Sequence, residues 1–525
     1  MVPVLLLAIA PAIRFEAAAG PGFVLRNHPT PEKQMIETMA GGLAAFDYDG
    51  DGRLDLFFTN GAAIPSMKKE SEADHNRLYR NEGGLRFRDV TGETGLAGVG
   101  YSMGAAAADF DNDGDADLFV AGVYRNNLYR NDGGRFVDIT GESGIGSSRW
   151  SVTAGWFDYD NDGLLDLFVV NYSHWSPKNP RFCGDSARAI RVYCHPKYFE
   201  PVPGELYRNL GGGKFEDVSE KTGIAAHAGR GMGIAFADYD GDGRQDVFVT
   251  NDNLPNFLFH NEGGKFEEAG LLAGVALLDH GKPVASMGAD FRDYDNDGLP
   301  DIAVTALAGE TFPVFHNEGG GLFRDATLAT KVGPMVNTHS GWGVGWVDFN
   351  NDGWKDLFAS QSHVNDMIEK FEAVKYKEGN GIYVNLGNGT FRDDSATLAS
   401  SARAHRGAAF ADFDNDGRVD VAVSALGEPS ELWRNTSEGG KWLRVRLHGT
   451  RSNRDGLGAR LVAGGQTNLM TSAVSYSSSV LAPVHFGLGS STSVRLTVYW
   501  PSGIVQDVGA VEAGKTIEVT EPAAP

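Results

Sequence analysis

The chain has 525 residues, with 69 acidic and 46 basic side chains and a net charge of −23. That balance excludes the basic face that nucleic-acid binding requires and leaves cations as the natural ionic partners. A composition of 42% hydrophobic and 22% charged residues excludes a disordered acidic tail, and two cysteines exclude a disulfide-built scaffold.

Residues 1–12, M-V-P-V-L-L-L-A-I-A-P-A, read as the apolar part of a secretory leader without its usual basic start. The expected location is therefore secreted, extracellular or at the cell surface, with the periplasm as the alternative. No later run reaches the ~20 apolar residues of a membrane span. The 69 glycines are about twice the usual ~7% share, which points to many tight turns and an all-β chain.

From residue 47 one pattern, D-x-[DN]-x-D-G-x-x-D, recurs seven times at steps of 49 to 80 residues. A period near 55 belongs to propellers and solenoids. Small residues precede each motif, as in M-G-A-A-A-A before Asp109. A β-rich stretch follows, as in D-L-F-V-V-N from Asp166, then L-Y-R-N-E-G-G or a close copy, as at Leu78, and finally R-F-x-D-[VI]-T, as at Arg86. Each unit reads as four short strands, one propeller blade. The small residues suit a first strand near the crowded axis. The fourth-strand pattern follows the first six motifs only, at Phe87, Phe136, Phe215, Phe266, Phe323 and Phe391; I-R-F-E-A from Ile13 supplies the seventh. The expected fold is an all-β, seven-bladed propeller over 13–436, closed by its N-terminal strand, which removes open sheet edges.

Calcium takes six to eight oxygen ligands, and alternate residues of a tight loop can face one centre. Positions 1, 3, 5 and 9 of the seven motifs supply Asp47, Asp49, Asp51 and Asp55; Asp109, Asp111, Asp113 and Asp117; Asp158, Asp160, Asp162 and Asp166; Asp238, Asp240, Asp242 and Asp246; Asp293, Asp295, Asp297 and Asp301; Asp348, Asn350, Asp352 and Asp356; Asp412, Asp414, Asp416 and Asp420. Position 7 would add its backbone carbonyl. The flanks are strands and the last acid is at position 9, so this is not the helix-flanked, Glu-12 calcium loop. Up to seven structural Ca²⁺ ions are expected. The alternative, Asx turns bonding backbone N–H groups without an ion, must accommodate mutually repelling carboxylates. These arrays resemble the FG-GAP (VCBS-type) repeats of the integrin α-chain propeller and of bacterial secreted proteins, a resemblance that implies a structural calcium in each blade. Asn350 departs from it by one charge.

The longest step, between motifs three and four, holds an insertion over 171–203 with Cys183 and Cys194. In an exported chain these two form a local disulfide. A metal or redox site built from Cys183, Cys194, His174 and His195 fits neither zinc nor haem spacing. Trp175, Tyr193 and Tyr198 make this insertion the best candidate for ligand contact.

After residue 436 the loops stop and alternating strands take over, as in W-L-R-V-R-L-H at Trp442 and V-R-L-T-V-Y-W at Val494. The stretch 437–525 is expected to form a separate, small sandwich-like β-domain. Its S-N-R-D-G-L-G-A-R, V-H-F-G-L-G and W-P-S-G segments, with E-T-M-A-G-G-L-A-A-F-D from Glu37, resemble the ASPIC/UnbV module and propeller start of the cartilage acidic protein family and its bacterial relatives. Arg454, Asp455 and His485 read as a turn with a local ion pair and a strand histidine. No nucleophile–base pair and no nucleotide loop is present, and no catalytic residue is assigned. The expected function is binding or adhesion to an extracellular protein or glycan; a polysaccharide lyase or hydrolase, or a structural fibre subunit, are the alternatives.

Overall fold

The computed structural model describes residues 12–178 and 180–523, so residues 1–11 of the expected leader lie outside the described residues. Among the described residues, seven units of four antiparallel strands follow one another along the chain, six of them as four-stranded sheets and the first within a six-stranded sheet. Each second strand begins at the ninth residue of an Asp motif, as in Asp55–Phe58, Asp117–Gly122 and Asp420–Ala425. The first strands of successive sheets pack against one another from Leu43–Phe46 through His405–Ala411 and back to Leu43–Phe46. The N-terminal strand Phe15–Ala17 completes the last sheet, Phe15 standing opposite Asn435.

The second strands are apolar without alternation because each sheet lies between two others. In blade two Leu118 packs with Phe46 and Phe57 of blade one, while Phe119 packs with Trp156 and Leu167 of blade three. Aromatic pairs tie the layers together, such as Phe157–Phe236 with centroids 4.6 Å apart and Tyr294–Trp346 at 5.2 Å. Fourth strands bury at most one residue, a phenylalanine, as in Phe136–Asp138 and Leu322–Asp325, which fits their place at the rim.

The C-terminal region departs from the separate module expected of it. Two of its sheets, one of three strands built on Lys441–His448 and one of four built on Arg460–Ala463 and Ser493–Tyr499, share a core of Leu443, Phe486, Leu461, Leu496, Val498 and Trp500. A hairpin, Ala473–Val474 and Ser478–Val480, leaves them and enters the ring. Ala44 and Ala45 pair in parallel with Ser479 and Val480, making a six-stranded sheet of blade one. Around the axis the hairpin reaches four further blades: Ala105 N–H donates to Ser477 O (3.2 Å), Ser477 Oγ to Val152 O (3.1 Å), Ala289 N–H to Ser475 O (3.3 Å) and Ala408 N–H to Ser475 Oγ (3.3 Å). Tyr476 is fully buried, donates to Met39 O (2.7 Å) and meets Trp342 edge-on at 4.9 Å. Small residues near the axis therefore make room for this hairpin as well as for one another. A Cβ on Gly42 or Gly407 would collide with Ser477 O or Ser478 Oγ respectively.

The insertion lies at the far end of blade three from its Asp loop, since the strand Asp166–Ser173 runs from one to the other, about 25 Å at ~3.3 Å per residue. Cys183 and Cys194 form a disulfide, with Cα atoms 5.3 Å apart, across a short hairpin of Gly184–Asp185 and Ile190–Arg191. The bond consumes both thiols, which removes them as metal ligands.

Replacing Tyr476 by Ala empties the most crowded point of the axis, and a buried aromatic truncation costs about 3–5 kcal/mol. The expected outcome is a lower denaturation midpoint together with new protease cleavage near residues 437–441, where the chain leaves blade seven; unchanged cleavage and midpoint would show that the hairpin does not hold the module.

Candidate metal centres

All seven Asp motifs fold into the same loop between a first and a second strand. Position 4 is Gly50, Asn112, Asn161, Gly241, Asn296, Asn351 or Asn415, and every one has a positive φ of 55–81°. That left-handed turn admits Gly and Asn and few other residues, which explains why D-G-D-G and D-N-D-G alternate. The position 6 glycines are left-handed too, from Gly52 at 82° to Gly114 at 102°.

The loop carboxylates divide by role. At position 1 both oxygens mostly accept backbone N–H groups of the loop: Asp47 takes those of Asp51 (3.0 Å) and Gly52 (2.8 Å). At position 5 one oxygen accepts the N–H of residue 7, as Asp113 does from Asp115 (2.9 Å), and in loops one, four and seven the other meets Arg53, Arg244 or Arg418. Asx-turn bonding is therefore present; it satisfies position 5 and, except at Asp293 Oδ1, position 1.

It does not satisfy position 3. Asp49, Asp111, Asp160, Asp295 and Asp414 each keep a buried Oδ1 with no hydrogen-bond partner. Carboxylate oxygens from positions 3 and 9, joined by position 1 in some loops, gather within 4.8 Å of one another, as in Asp47, Asp49 and Asp55 or Asp158, Asp160 and Asp166. An inward, unpartnered, all-oxygen donor set suits a hard divalent cation. In loop six Asn350 is fully buried and accepts the N–H of Asp352 (3.1 Å).

Position 9 is the anchor. Asp55, Asp117, Asp246, Asp301, Asp356 and Asp420 are fully buried and Asp166 nearly so. One oxygen accepts the N–H of position 2, as from Tyr48 to Asp55 (3.1 Å), and the other that of the third-strand asparagine, as from Asn81 (2.6 Å). Burial pushes these carboxyls up, Asp55 and Asp246 to about 8 and Asp117 to about 9.

The asparagine of L-Y-R-N-E-G-G was recorded in the sequence only as part of a repeat, and it proves structural in every blade. Its Nδ2 donates to position 8 of its own loop and to the position 2 carbonyl of the preceding blade's loop. The interblade bonds run Asn131 to Tyr48 (2.9 Å), Asn209 to Phe110 (2.8 Å), Asn261 to Tyr159 (2.8 Å), Asn317 to Tyr239 (2.9 Å), Asn385 to Tyr294 (2.9 Å), Asn435 to Phe349 (2.8 Å) and, closing the circle, Asn81 to Phe413 (2.7 Å). The position 4 asparagines reach the other way, as in Asn112 Nδ2 to Gly163 O (3.0 Å). The sevenfold recurrence of a polar residue at the end of an apolar strand was the available signal.

The C-terminal module covers the loop face. Arg444 pairs with Asp412 (2.7 Å), and Asp455 accepts the N–H of Asp109 (3.1 Å) while Arg454 N–H donates to Asn112 (2.7 Å). The R-D pair is thus a docking contact onto loop two, not the local ion pair the sequence implied. His485 is a strand histidine, as expected, with Nε2 against Asn351 Oδ1 (2.7 Å).

A family model described as FG-GAP-like repeat matches residues 47–120, 109–169, 200–249, 238–304, 293–359 and 373–423, and one described as ASPIC and UnbV matches 449–525. Cartilage acidic protein 1 of Homo sapiens is 27% identical over 344 residues, 62% of this chain and 48% of its own length. The Mus musculus protein of that name is 26% identical over 62% and 50%. The chain thus spans about half the length of the curated relatives it matches. A solved rhamnogalacturonan lyase from Bacillus licheniformis is 14% identical with a TM-score of 0.38, covering 80% of this chain and 75% of its own, a likeness too weak to carry an argument.

Asn131→Ala strips two buried carbonyls of their donors, at about 1–3 kcal/mol each, and should lower the denaturation midpoint where substituting the exposed Asn388 does not. In metal-free protein burial holds the position 9 carboxyls well above their unfolded value of about 3.9, Asp301 at about 7, Asp55 and Asp246 at about 8 and Asp117 at about 9. The folded chain then holds more protons between these limits, so stability falls as pH rises. Calorimetry of chelated protein should show a melting temperature that drops from pH 5 to pH 8; a rise would contradict the assignment.

Proposed function

The chain belongs to the FG-GAP-like repeat family with a C-terminal ASPIC and UnbV module, and we propose that it is an extracellular, calcium-stabilised binding protein that meets its partner through the 171–203 insertion. The calcium reading is supported by the unpartnered, buried position 3 oxygens described above. Residues at positions 1, 3, 5 and 9 would hold the ion, joined by the position 7 carbonyl. When bound, the ion supplies positive charge to carboxylates that otherwise repel one another. The chain's part is to fix those carboxylates through backbone N–H groups and interblade asparagines. The role is structural, and no reaction step is assigned to it. Among the described residues no helix is long and apolar enough to cross a membrane, and the curated relatives are named as cartilage acidic proteins, not enzymes.

The binding reading rests on a contrast of charge. In a chain of net −23, residues 171–203 carry five basic and two acidic side chains. Beside them opens a cavity of about 210 Å³ lined by Glu32, Lys33, His174, Trp175, Arg181 and Tyr198, among others; Lys33 pairs with Asp366, and Arg181 is the cavity's exposed cation. The Arg181 guanidinium lies over the Tyr198 ring at 4.4 Å, and Tyr193 Oη donates to the buried Glu37 (3.1 Å), tying the insertion to the segment beneath it. Cations set among aromatic faces, on a scaffold that is otherwise acidic, suit an acidic sugar: the ring stacks and the anion pairs. The proposed partner is therefore an anionic glycan.

Chelation should lower the melting temperature by many degrees and calcium should restore it, with elemental analysis finding calcium bound; no calcium and no response to chelator would sink the first reading. On a glycan array, uronate- or sulfate-bearing sugars should be retained and neutral analogues not, with retention lost in Arg181→Ala/Lys33→Ala. Retention unchanged in that variant overturns the second reading, and cleavage of a retained glycan would favour the lyase or hydrolase.

A further inference from the structure

One position separates the seven loops from each other. The residue before the clamp asparagine faces the loop carboxylates from the third strand, and it is Arg80, Arg130, Arg208, His260, His316, Val384 and Arg434 in blade order. In blades one, three and seven the guanidinium pairs with the loop: Arg80 with Asp49 (2.6 Å), Arg208 with Asp160 (2.7 Å) and Arg434 with Asp414 (2.8 Å). Arg130 turns to Asp132 (2.8 Å) instead. An arginine has no lone pair to give and keeps its charge at any ordinary pH, so it can neutralise these carboxylates but cannot ligate a metal.

Blades four and five replace it with an imidazole, which can. His316 Nδ1 lies 3.1 Å from Asp301 Oδ1 and 3.5 Å from Asp295 Oδ2; His260 Nδ1 lies 3.2 Å from Asp246 Oδ1 and 3.5 Å from Asp240 Oδ2. Each trio offers one nitrogen and two carboxylate oxygens within 4.8 Å of one another. Tetrahedral ligands with bonds of about 2.0–2.1 Å stand about 3.3 Å apart, a spacing that the observed 3.1–3.5 Å bracket. Loop five adds an independent sign. Asp293, only 2% exposed, leaves its Oδ1 without a partner, as Asp295 does; in loops one, two, three, four, six and seven the same oxygen of position 1 accepts the N–H of position 5.

We infer that the loops of blades four and five are mixed nitrogen–oxygen sites for a zinc-class transition ion, held by His260, Asp240 and Asp246 and by His316, Asp295, Asp301 and Asp293, and that they differ in metal preference from the other five. Imidazole favours zinc over calcium, whereas the all-oxygen loops keep the opposite preference. The inference rests on reading the loops as cation sites, and it can fail without that reading failing.

The test reloads chelator-treated, full-length protein with Zn²⁺ or, as a spectroscopic probe, Co²⁺, in millimolar Ca²⁺. Wild type should retain two equivalents of Zn²⁺ and show the intense visible bands of low-coordinate, nitrogen-ligated Co²⁺. His260→Asn/His316→Asn should fold, keep its calcium in the other loops and lose both equivalents and the bands, with at least a tenfold weaker zinc affinity. Arg208→His should add a third equivalent in blade three, a gain that damage to the fold cannot imitate. Zinc uptake and spectrum unchanged in the double variant, or no zinc retained while calcium fills all seven loops, overturns the inference. Two zinc equivalents with no calcium bound anywhere would sustain it and defeat the calcium reading instead.

Discussion

A buried carboxylate at the ninth position of each Asp motif is the constraint on which the rest of the structure depends. It starts the second strand, it is shielded from water, and its two oxygens are committed to two backbone N–H groups. One of those groups belongs to its own loop and fixes the loop's shape. The other belongs to an asparagine whose side chain grips the preceding blade. The loop that gathers the carboxylates is therefore the same object that joins the sheets into a ring. A cation held there would relieve the electrostatic cost of burial in the very residues that carry the interblade bonds.

The loop face is crowded with acid, and the C-terminal module answers it. Arg444 comes from the module and pairs with Asp412, and Lys355 comes from loop six, where its ammonium donates to Asp293 O (2.7 Å) beneath the module. The close seat explains the glycines of V-H-F-G-L-G: a Cβ on Gly487 would meet Asp348. Through the hairpin at the axis the module also touches the inner strands, so it bonds to the propeller at its face and at its centre. The opposite end is left uncovered by the module, and there the disulfide-pinned insertion presents cations and aromatic rings. Five of the seven loops carry arginine or valine beside the carboxylates and two carry histidine, so one backbone device supports chemically different sites.

Several features were legible because they repeat. The Asp motif, the small-residue first strands and the displaced seventh fourth strand at Phe15 each recur or are missed at a regular interval, and Phe15 does pair with Asn435. The disulfide was legible from compartment and count. The interblade asparagines were visible as letters but not as bonds, because the carbonyl each one reaches lies 78 or more residues away, as from Asn317 to Tyr239. Arg454 and Asp455 were misread for the same reason: adjacent opposite charges suggest a local pair, and their partners sit more than 340 residues earlier.

By itself the sequence determined what each loop must be, since a tight turn with left-handed Gly or Asn between acids is set by local sterics and by oxygen chemistry, and those need no distant residue. It likewise determined the number of repeats and the chain end that completes the last one. Only the tertiary structure decided which groups outside the loop face each carboxylate set, that asparagines fasten one blade to the next, and that residues 473–480 belong to the propeller's axis and not to the module that encodes them. These are contacts between segments tens to hundreds of residues apart, fixed by shape and burial once the ring has closed, and no local spacing in the chain records them.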